Sequence, residues 1–321
     1  MSAASLAYPA QESEKGIDPN NIPILDLGPY LAGEPGALER TAEQLRIVSE
    51  TVGFYYISNH GVDEALIDEI YHQAARFHAQ PMDEKMKLLI DSDLHGYMPM
   101  KASVVRVSEE LATGNLPDQN EALFMFRDSS KWPDKLPGFK EVSLAYFKAM
   151  DDLSDKMLKL YAVALEQDPD FFAPAFKFPW TALRYSHYPP REYVKNEYGI
   201  APHSDTSFFT ILAQNKKAGL EIKSRRGPWV DAPMVPGTLV VNSGNVLHRW
   251  TNGRFLSTPH RAYNKDAGSR YAIVFFVHPD QDYRMSCIPS CKSETDPPKF
   301  PDETVREYMA WWNPRYFSHI K

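Results

Sequence analysis

Along this chain the apolar residues keep two different rhythms, and the change falls near Pro179. Ahead of it the spacing is helical. Leu38, Ala42, Leu45 and Val48 form one stripe between Gly36 and Glu50, and Leu66, Ile67, Ile70, Tyr71, Ala74 and Phe77 form a second that Pro81 ends. A third stripe of Leu144, Phe147, Met150, Leu153, Met157 and Tyr161 predicts a long helix from Phe139 to Gln167. Residues 83–89 add a further helical turn or two. Two short strands interrupt the helices, Ile22–Leu27 and the aromatic-rich Val52–Ile57, with Asn59-His60-Gly61 as a turn. From 90 to 137 the pattern is irregular. His95–Met100 reads as a loop and Asn120–Phe126 as a strand, in a stretch that suits either a substrate-covering segment or a long connection.

Beyond Pro179 short runs of strand type follow one another: Leu183–Tyr188, Ser207–Gln214, Leu220–Lys223, Trp229–Ala232, Thr238–Asn242, Val246–Thr251, Thr258–Asn264 and Tyr271–Val277. Pro189-Pro190, Arg226-Gly227-Pro228, Pro236-Gly237 and Asn252-Gly253 punctuate them as turns. Roughly eight strands at this spacing predict a sandwich or barrel, and a jelly roll with open ends fits best. Thr304–Asn313 reads as a last helix that stops before Pro314. The expected fold is mainly β: a double-stranded β-helix (jelly-roll) core with flanking helices and a helical N-terminal region. Its parts are a flexible arm over 1–20, an α/β region with substrate-side loops over 21–137, a supporting helix over 138–178, the jelly-roll core over 179–285 and a C-terminal helical segment over 286–321.

Composition narrows the partners. With 321 residues and 43% hydrophobic content the chain can bury a large core. A net charge of −7 argues against nucleic acid, and no window approaches ~18 consecutive apolar residues, so no membrane partner is expected. The opening MSAASLAYPAQESEKG lacks a basic region followed by an apolar run and does not read as a secretory leader. Cys287 and Cys291 have no histidine at zinc-site spacing and fit free thiols in a reducing compartment, so the cytoplasm is the expected location.

The candidate chemistry lies between Gly199 and Phe276, where His203-Ser204-Asp205 is followed later by His260 and by Arg270. Two imidazoles and a carboxylate are the ligands of a facial-triad iron site. In a strand, residues 203 and 205 point to the same face and can hold one ion. The spacing alone leaves iron, zinc and manganese open, and also leaves open two ordinary hydrogen-bonded strand histidines.

Several stretches together resemble the iron(II)/2-oxoglutarate-dependent dioxygenases, in the isopenicillin-N-synthase-like branch. Ala201-Pro202-His203-Ser204-Asp205-Thr206 resembles the family's iron-binding strand. Gly219-Leu220-Glu221-Ile222 with Gly227-Pro228-Trp229-Val230 resembles its "GLQ…W" hairpin, and Pro236-Gly237-Thr238-Leu239-Val240-Val241-Asn242 its "PG…LVVN" strand. Trp250-Thr251-Asn252-Gly253 and Ser257-Thr258-Pro259-His260-Arg261 resemble "WTNG" and "S..HR". Gly53-Phe54, Asn59-His60-Gly61 and Glu84-Lys85-Met86 resemble the N-terminal part of that family, so the likeness runs from about residue 22 to about 280.

The resemblance implies His203, Asp205 and His260 as iron(II) ligands, and Arg270 as the partner of the distal carboxylate of 2-oxoglutarate, with O2 as second co-substrate and ascorbate as a possible stimulant. Tyr188 matches a tyrosine that touches the same co-substrate, and Ser186 stands where plant members often carry an asparagine. The family's Arg-x-Ser is here Arg270-Tyr271-Ala272, which removes one hydroxyl worth on the order of 1.5–3 kcal/mol to a carboxylate. That departure keeps open a same-fold oxidase that does not consume 2-oxoglutarate. A zinc hydrolase and a binding protein with a vestigial site are further alternatives. Phe208, Phe276, Met98, Met100, Lys101, Arg106 and Phe126 are candidate liners of a substrate pocket, while His60, His248 and His278 read as structural histidines. A small molecule is the expected partner, taken by a monomer or weak homo-oligomer.

Overall fold

A computed structural model describes residues 22–103, 116–127, 131–190, 197–225, 227–265 and 267–316. Arg106 lies outside these residues. Strand β1 (Ile24–Asp26) pairs in parallel with β2 (Phe54–Ser58), and the turn-long α1 (Gly28–Leu31) and the amphipathic α2 (Ala37–Thr51) connect them. Helix α3 (Glu64–His78) starts at Asp63, whose side chain accepts the Ala65 N–H at 2.9 Å. It is followed by α4 (Met82–Met86), β3 (Gly96–Met98), β4 (Glu121–Phe126) and the long α5 (Phe139–Ala164). Helix α5 buries Phe139, Phe147, Met150, Leu153, Met157 and Tyr161, the face its spacing marks, each side chain contributing about 1.5–3 kcal/mol by burial.

The second half supplies β5 (Trp180–Tyr188), β6 (Ile200–His203), β7 (Phe209–Gln214), β8 (Leu220–Lys223), β9 (Trp229–Asp231) and β10 (Thr238–Ser243). Helix α6 (Asn245–Trp250), β11 (His260–Ala262), β12 (Arg270–His278), β13 (Arg284–Met285), β14 (Glu303–Thr304) and α7 (Val305–Tyr316) complete it. One sheet runs β1-β2-β10-β7-β12-β5-β4-β3 and a smaller one β6-β11-β8-β9. Tyr188, Leu212, Val240 and Ala272 of the large sheet pack on Ile200, Leu220, Ile222 and Ala262 of the small one, which makes the jelly-roll interior. The other face of the large sheet carries Leu183, Tyr185, Ile211, Ile273 and Phe275 into the helical core with α2, α3 and α5. Strand β12 is therefore covered on both faces, which is why Tyr271–Val277 reads as a near-continuous apolar run.

Four local expectations are corrected. Val246–Thr251 is not a strand: Gly244 starts helix α6, the His248 N–H reaches the Gly244 carbonyl at 3.0 Å, and Val246, Leu247 and Trp250 are buried on one helical side. A β-branched residue beside apolar and aromatic ones imitates strand spacing over a segment too short for either period to declare itself. The His95–Met100 loop contains β3, hydrogen-bonded to β4. Helix α7 does not stop before Pro314 but runs to Tyr316; the exposed Ala310, four residues earlier, can give its carbonyl to water in place of the bond proline cannot make. Finally, β6 ends at His203, so Asp205 lies in the loop beyond the strand.

Candidate active site

Strands β6 and β11 are antiparallel neighbours, and their register sets His203 directly opposite His260. The imidazole centroids lie 4.3 Å apart. The loop after β6 brings Asp205 back toward them, with Oδ1 at 3.7 Å from His203 Nε2 and 3.7 Å from His260 Nε2. The ring orientation follows from the opposite nitrogens. His203 Nδ1 donates to the Ala201 carbonyl at 2.9 Å and His260 Nδ1 to the Thr258 carbonyl at 3.3 Å, so both Nε2 lone pairs face Asp205. Three acceptors then converge without a donor between them, all three ligand atoms within 4.8 Å of one another. A divalent ion resolves that repulsion, and the residues present fit one.

Protonation agrees with this. Burial, then the neighbouring His260, pushes the His203 imidazole down to about 3, so it is neutral at physiological pH. Burial alone would raise the Asp205 carboxyl, but His260, His203 and the hydrogen bonds from Asn242 and Thr210 hold it below the usual carboxylate range. Thr210 Oγ1 donates to Asp205 Oδ2 at 2.7 Å and Asn242 Nδ2 at 2.8 Å, which leaves Oδ1 as the free oxygen.

The loop holding Asp205 leans on the turn after β10. Asn245 N–H donates to the Asp205 carbonyl at 2.7 Å and Gly244 N–H to that of Phe208 at 3.0 Å. A Cβ at Gly244 would meet the Ser207 carbonyl oxygen at 2.0 Å, where backbone and not a flexible side chain must move. Gly244→Ala is expected to cost about 1–3 kcal/mol by overpacking and to weaken metal uptake, read by thermal denaturation and by titration with cobalt(II). Unchanged melting temperature and cobalt affinity would show that the loop tolerates displacement.

A second group of orphaned polar atoms lies deeper in the barrel. Arg270 is 2% exposed, and its Nε and Nη1 have no hydrogen-bond partner. The Tyr188 ring stacks on its guanidinium, 4.6 Å from Cζ. Gly199 makes room for that ring, since a Cβ there would meet Tyr188 Cδ1 at 2.5 Å. Ala272 pairs across the sheet with Ser186, whose Oγ is also buried and unpartnered. A hydroxyl therefore sits on the rung where the strand of Arg270 offers a methyl group. A buried arginine with no counter-ion among the described residues, and a free hydroxyl beside it, suit a carboxylate.

Between triad and barrel mouth is a cavity of about 120 Å3 lined by His203 and Asp205 at one end and by Met98, Phe124, Phe126, Trp180, Phe276 and Trp312 elsewhere. Of the sequence candidates, Met98, Phe126 and Phe276 line it, whereas Met100 and Lys101 do not. Lys101 is exposed in a turn at φ 64°. Phe208 is packed among Tyr161, Phe172, Phe176 and Trp250 on the far side of the sheet, because its place one residue before β7 turns it into the helical core. Arg184, His278 and Asp118 also line the cavity and are not among the pocket residues expected from the sequence. Arg184 has a signal in its even spacing from Ser186 and Tyr188 on β5.

Among the described residues a further cluster, His78, Glu121 and His187, has metal-like composition. There the Lys85 ammonium lies 2.8 Å from Glu121 Oε2 and already supplies the positive charge. Glu121 is the centre of an ion-pair network and not of a second metal site.

Residues 178–279 match the 2OG-Fe(II) oxygenase superfamily, and residues 22–138 match the non-haem dioxygenase in morphine synthesis N-terminal family. A 2-oxoglutarate-Fe(II) type oxidoreductase of Emericella nidulans is 30% identical over 314 residues, covering 91% of this chain and 89% of the relative. The chain belongs to the 2OG-Fe(II) oxygenase superfamily. Iron(II) and 2-oxoglutarate are accordingly the cofactor and co-substrate of this oxygenase. Kihadalactone A synthase of Citrus sinensis is likewise 30% identical, over 91% of this chain and 93% of its own. The fold is shared with a full-length Neurospora crassa protein solved in complex with alpha-KG (TM-score 0.82, 24% identity, 91% of this chain and 95% of that one). It is also shared with a 2OG-Fe(II) oxygenase family protein of Caulobacter crescentus (TM-score 0.79, 28% identity, 91% and 98%). Among the described residues no helix is long and apolar enough to cross a membrane.

Proposed function

We propose that this oxygenase hydroxylates or desaturates a small, largely apolar organic molecule, with His203, Asp205 and His260 as the iron ligands and Arg270, Tyr188 and Ser186 as the 2-oxoglutarate site. The orphaned Arg270 guanidinium, sealed inside the same barrel as the triad, carries this reading. When bound, iron(II) with 2-oxoglutarate supplies the oxidising chemistry, in which O2 delivers one oxygen atom to succinate, released with CO2, and the other to the substrate or to water. The chain's own residues bind and orient. Arg270 pairs with the distal carboxylate and Ser186 Oγ replaces the hydroxyl that Ala272 lacks. Asn242 and Thr210 hold Asp205 so that Oδ1 faces the ion. Phe124, Phe126, Trp180 and Phe276 place substrate beside the triad and exclude water. A cytoplasmic setting suits two free cysteines, and the protein is taken as a monomer or weak homo-oligomer.

The relatives act on unlike molecules, by their names a kihadalactone A synthase in Citrus sinensis and a homoarginine-6-hydroxylase in Glycine max, so they point to no one substrate. Ser186 answers the missing hydroxyl at Ala272, which leaves the same-fold oxidase without support from that position. Oxygen uptake with iron(II) and ascorbate, measured with and without 2-oxoglutarate, tests this. The expected result is uptake and succinate release only with 2-oxoglutarate. Substrate-driven uptake in its absence would establish the oxidase.

A further inference from the structure

Arg184 and His278 both line the inner cavity; Arg184 Nε is buried there without a hydrogen-bond partner, and the His278 ring has only a contact with the Trp180 backbone too poorly aligned to satisfy it. In folded proteins roughly 90% or more of buried polar groups are paired. Orphans gathered at one cavity beside a reactive centre therefore mark where a ligand supplies the missing partners.

Arg184 projects from β5 on the same side as Ser186 and Tyr188. The Phe124 ring covers its guanidinium, 4.9 Å from Cζ. No described carboxylate forms an ion pair with it. Asp205 is committed to the triad, and both oxygens of the other acid in the cavity wall, Asp118, are engaged. Asp118 Oδ1 accepts the Ala201 N–H at 2.9 Å and Oδ2 the Ser103 hydroxyl at 2.7 Å. Burial pushes the Asp118 carboxyl up to about 6, which still leaves it ionised at neutral pH, so it acts on Arg184 through space without giving the guanidinium a hydrogen-bond acceptor. The described cavity wall thus presents a buried guanidinium whose Nε has no acceptor, among Leu94, Met98, Phe126, Trp180 and Phe276. In the β5–β12 register Arg184 stands opposite Val274, and His278 opposite Trp180. The two polar groups are four rungs apart, roughly 13 Å along the sheet. They bracket the apolar stretch.

We propose that the substrate is a small carboxylic acid with an apolar, ring-sized body, its carboxylate on Arg184 and its opposite end against His278. This rests on the reading of the cavity as the substrate chamber of the oxygenase. Among the described residues the cavity wall holds a single planar guanidinium and no lysine, which matches a carboxylate fork better than a phosphate, whose three oxygens call for more donors. A carboxylate could also come from 2-oxoglutarate, so the test separates the two sources.

The probes are matched acids and amides, 3-phenylpropionate with 3-phenylpropionamide and 3-cyclohexylpropionate with its amide. Each is titrated without O2 into protein loaded with iron(II) and 2-oxoglutarate, and tryptophan fluorescence reports binding through Trp180 and Trp312 in the cavity wall. The acids are expected to bind about tenfold or more tightly than the amides, the scale of a charge-assisted hydrogen bond. R184M should cut that preference below about threefold and R184K should retain part of it, while H278F should weaken acid and amide alike. Equal binding of acid and amide by the wild-type protein overturns the proposal, as does a preference that survives R184M in folded protein. A loss of 2-oxoglutarate affinity in R184M with the acid preference intact gives the arginine to the co-substrate and overturns it too. If acid preference needs Arg184 but the protein binds no 2-oxoglutarate, the co-substrate reading fails while the assignment of Arg184 stands.

Discussion

Asp205→Ala is expected to abolish iron-dependent succinate release and to reduce bound iron to background. The carboxylate is the only anion in the triad, and it does three jobs at once. Its Oδ1 faces both Nε2 atoms at 3.7 Å, its charge draws the cation between two neutral imidazoles, and its Oδ2 anchors Thr210 and Asn242. Alanine leaves two uncharged ligands and two buried donors without their acceptor. Loss of a ligand should exceed the roughly 10–100-fold effect typical of a group that only orients one. Asp205→Asn separates the contributions: it keeps the volume and one oxygen for Thr210 or Asn242 but removes the charge. Iron content by elemental analysis and succinate by chromatography read both variants. If Asp205→Ala kept its iron and its turnover, the ion would have to be held elsewhere and the site assignment would be wrong.

The ligand types are legible in the sequence, and their arrangement is not. His203 and Asp205 are local in the chain, but strand alternation does not account for their common side, because the strand ends at His203 and the loop after it turns Asp205 back toward the ring. That His260 should be the residue opposite His203 depends on the pairing of β6 with β11, which no local spacing encodes. Strand existence follows from β-branched and aromatic runs, whereas α6 is missed because a six-residue segment carries too little period to distinguish helix from strand. Arg184 and His278 are hidden for a related reason. Each sits in an apolar strand where a polar residue has two readings, satisfied or waiting, and only the census of partners in the folded chain tells them apart. Ala272 looks like a defect when its strand is read alone. With the register known, it faces Ser186 on the next.

Glu121→Gln is expected to cost about 3–5 kcal/mol of stability, because it strips the anion from a buried network and leaves Lys85 charged and enclosed. Both residues are 5% exposed, with Lys85 Nζ 2.8 Å from Glu121 Oε2. Tyr97 donates to the same oxygen, and His187 Nδ1 reaches Oε1 at 2.7 Å. Burial by itself would raise the Glu121 carboxyl; the hydrogen bond from His187, the nearby His78 ring and the Lys85 ammonium override it and hold the group far below the usual carboxylate range. A depressed folded-state value stabilises above the unfolded value of ~4.3 and loses that contribution as pH falls further. Burial likewise pushes His78 below its ordinary value of ~6.5, so its contribution is full above that pH and shrinks beneath it. The native protein should therefore begin to lose stability below about pH 6.5 and lose it more steeply below about pH 4.5. In Glu121→Gln the steeper, lower part should be shallower. Since β4 and β5 meet at Glu121 and His187, the loosening falls on the sheet that carries Ser186 and Tyr188, and 2-oxoglutarate affinity should weaken along with melting temperature. The double variant Glu121→Leu/Lys85→Met, which removes both charges, should recover much of the stability. Denaturant melts of the three proteins between pH 4 and 8 read all of this. A double variant no more stable than Glu121→Gln would mean that hydrogen bonds to His187 and Tyr97, and not the buried charge pair, hold this end of the sheet.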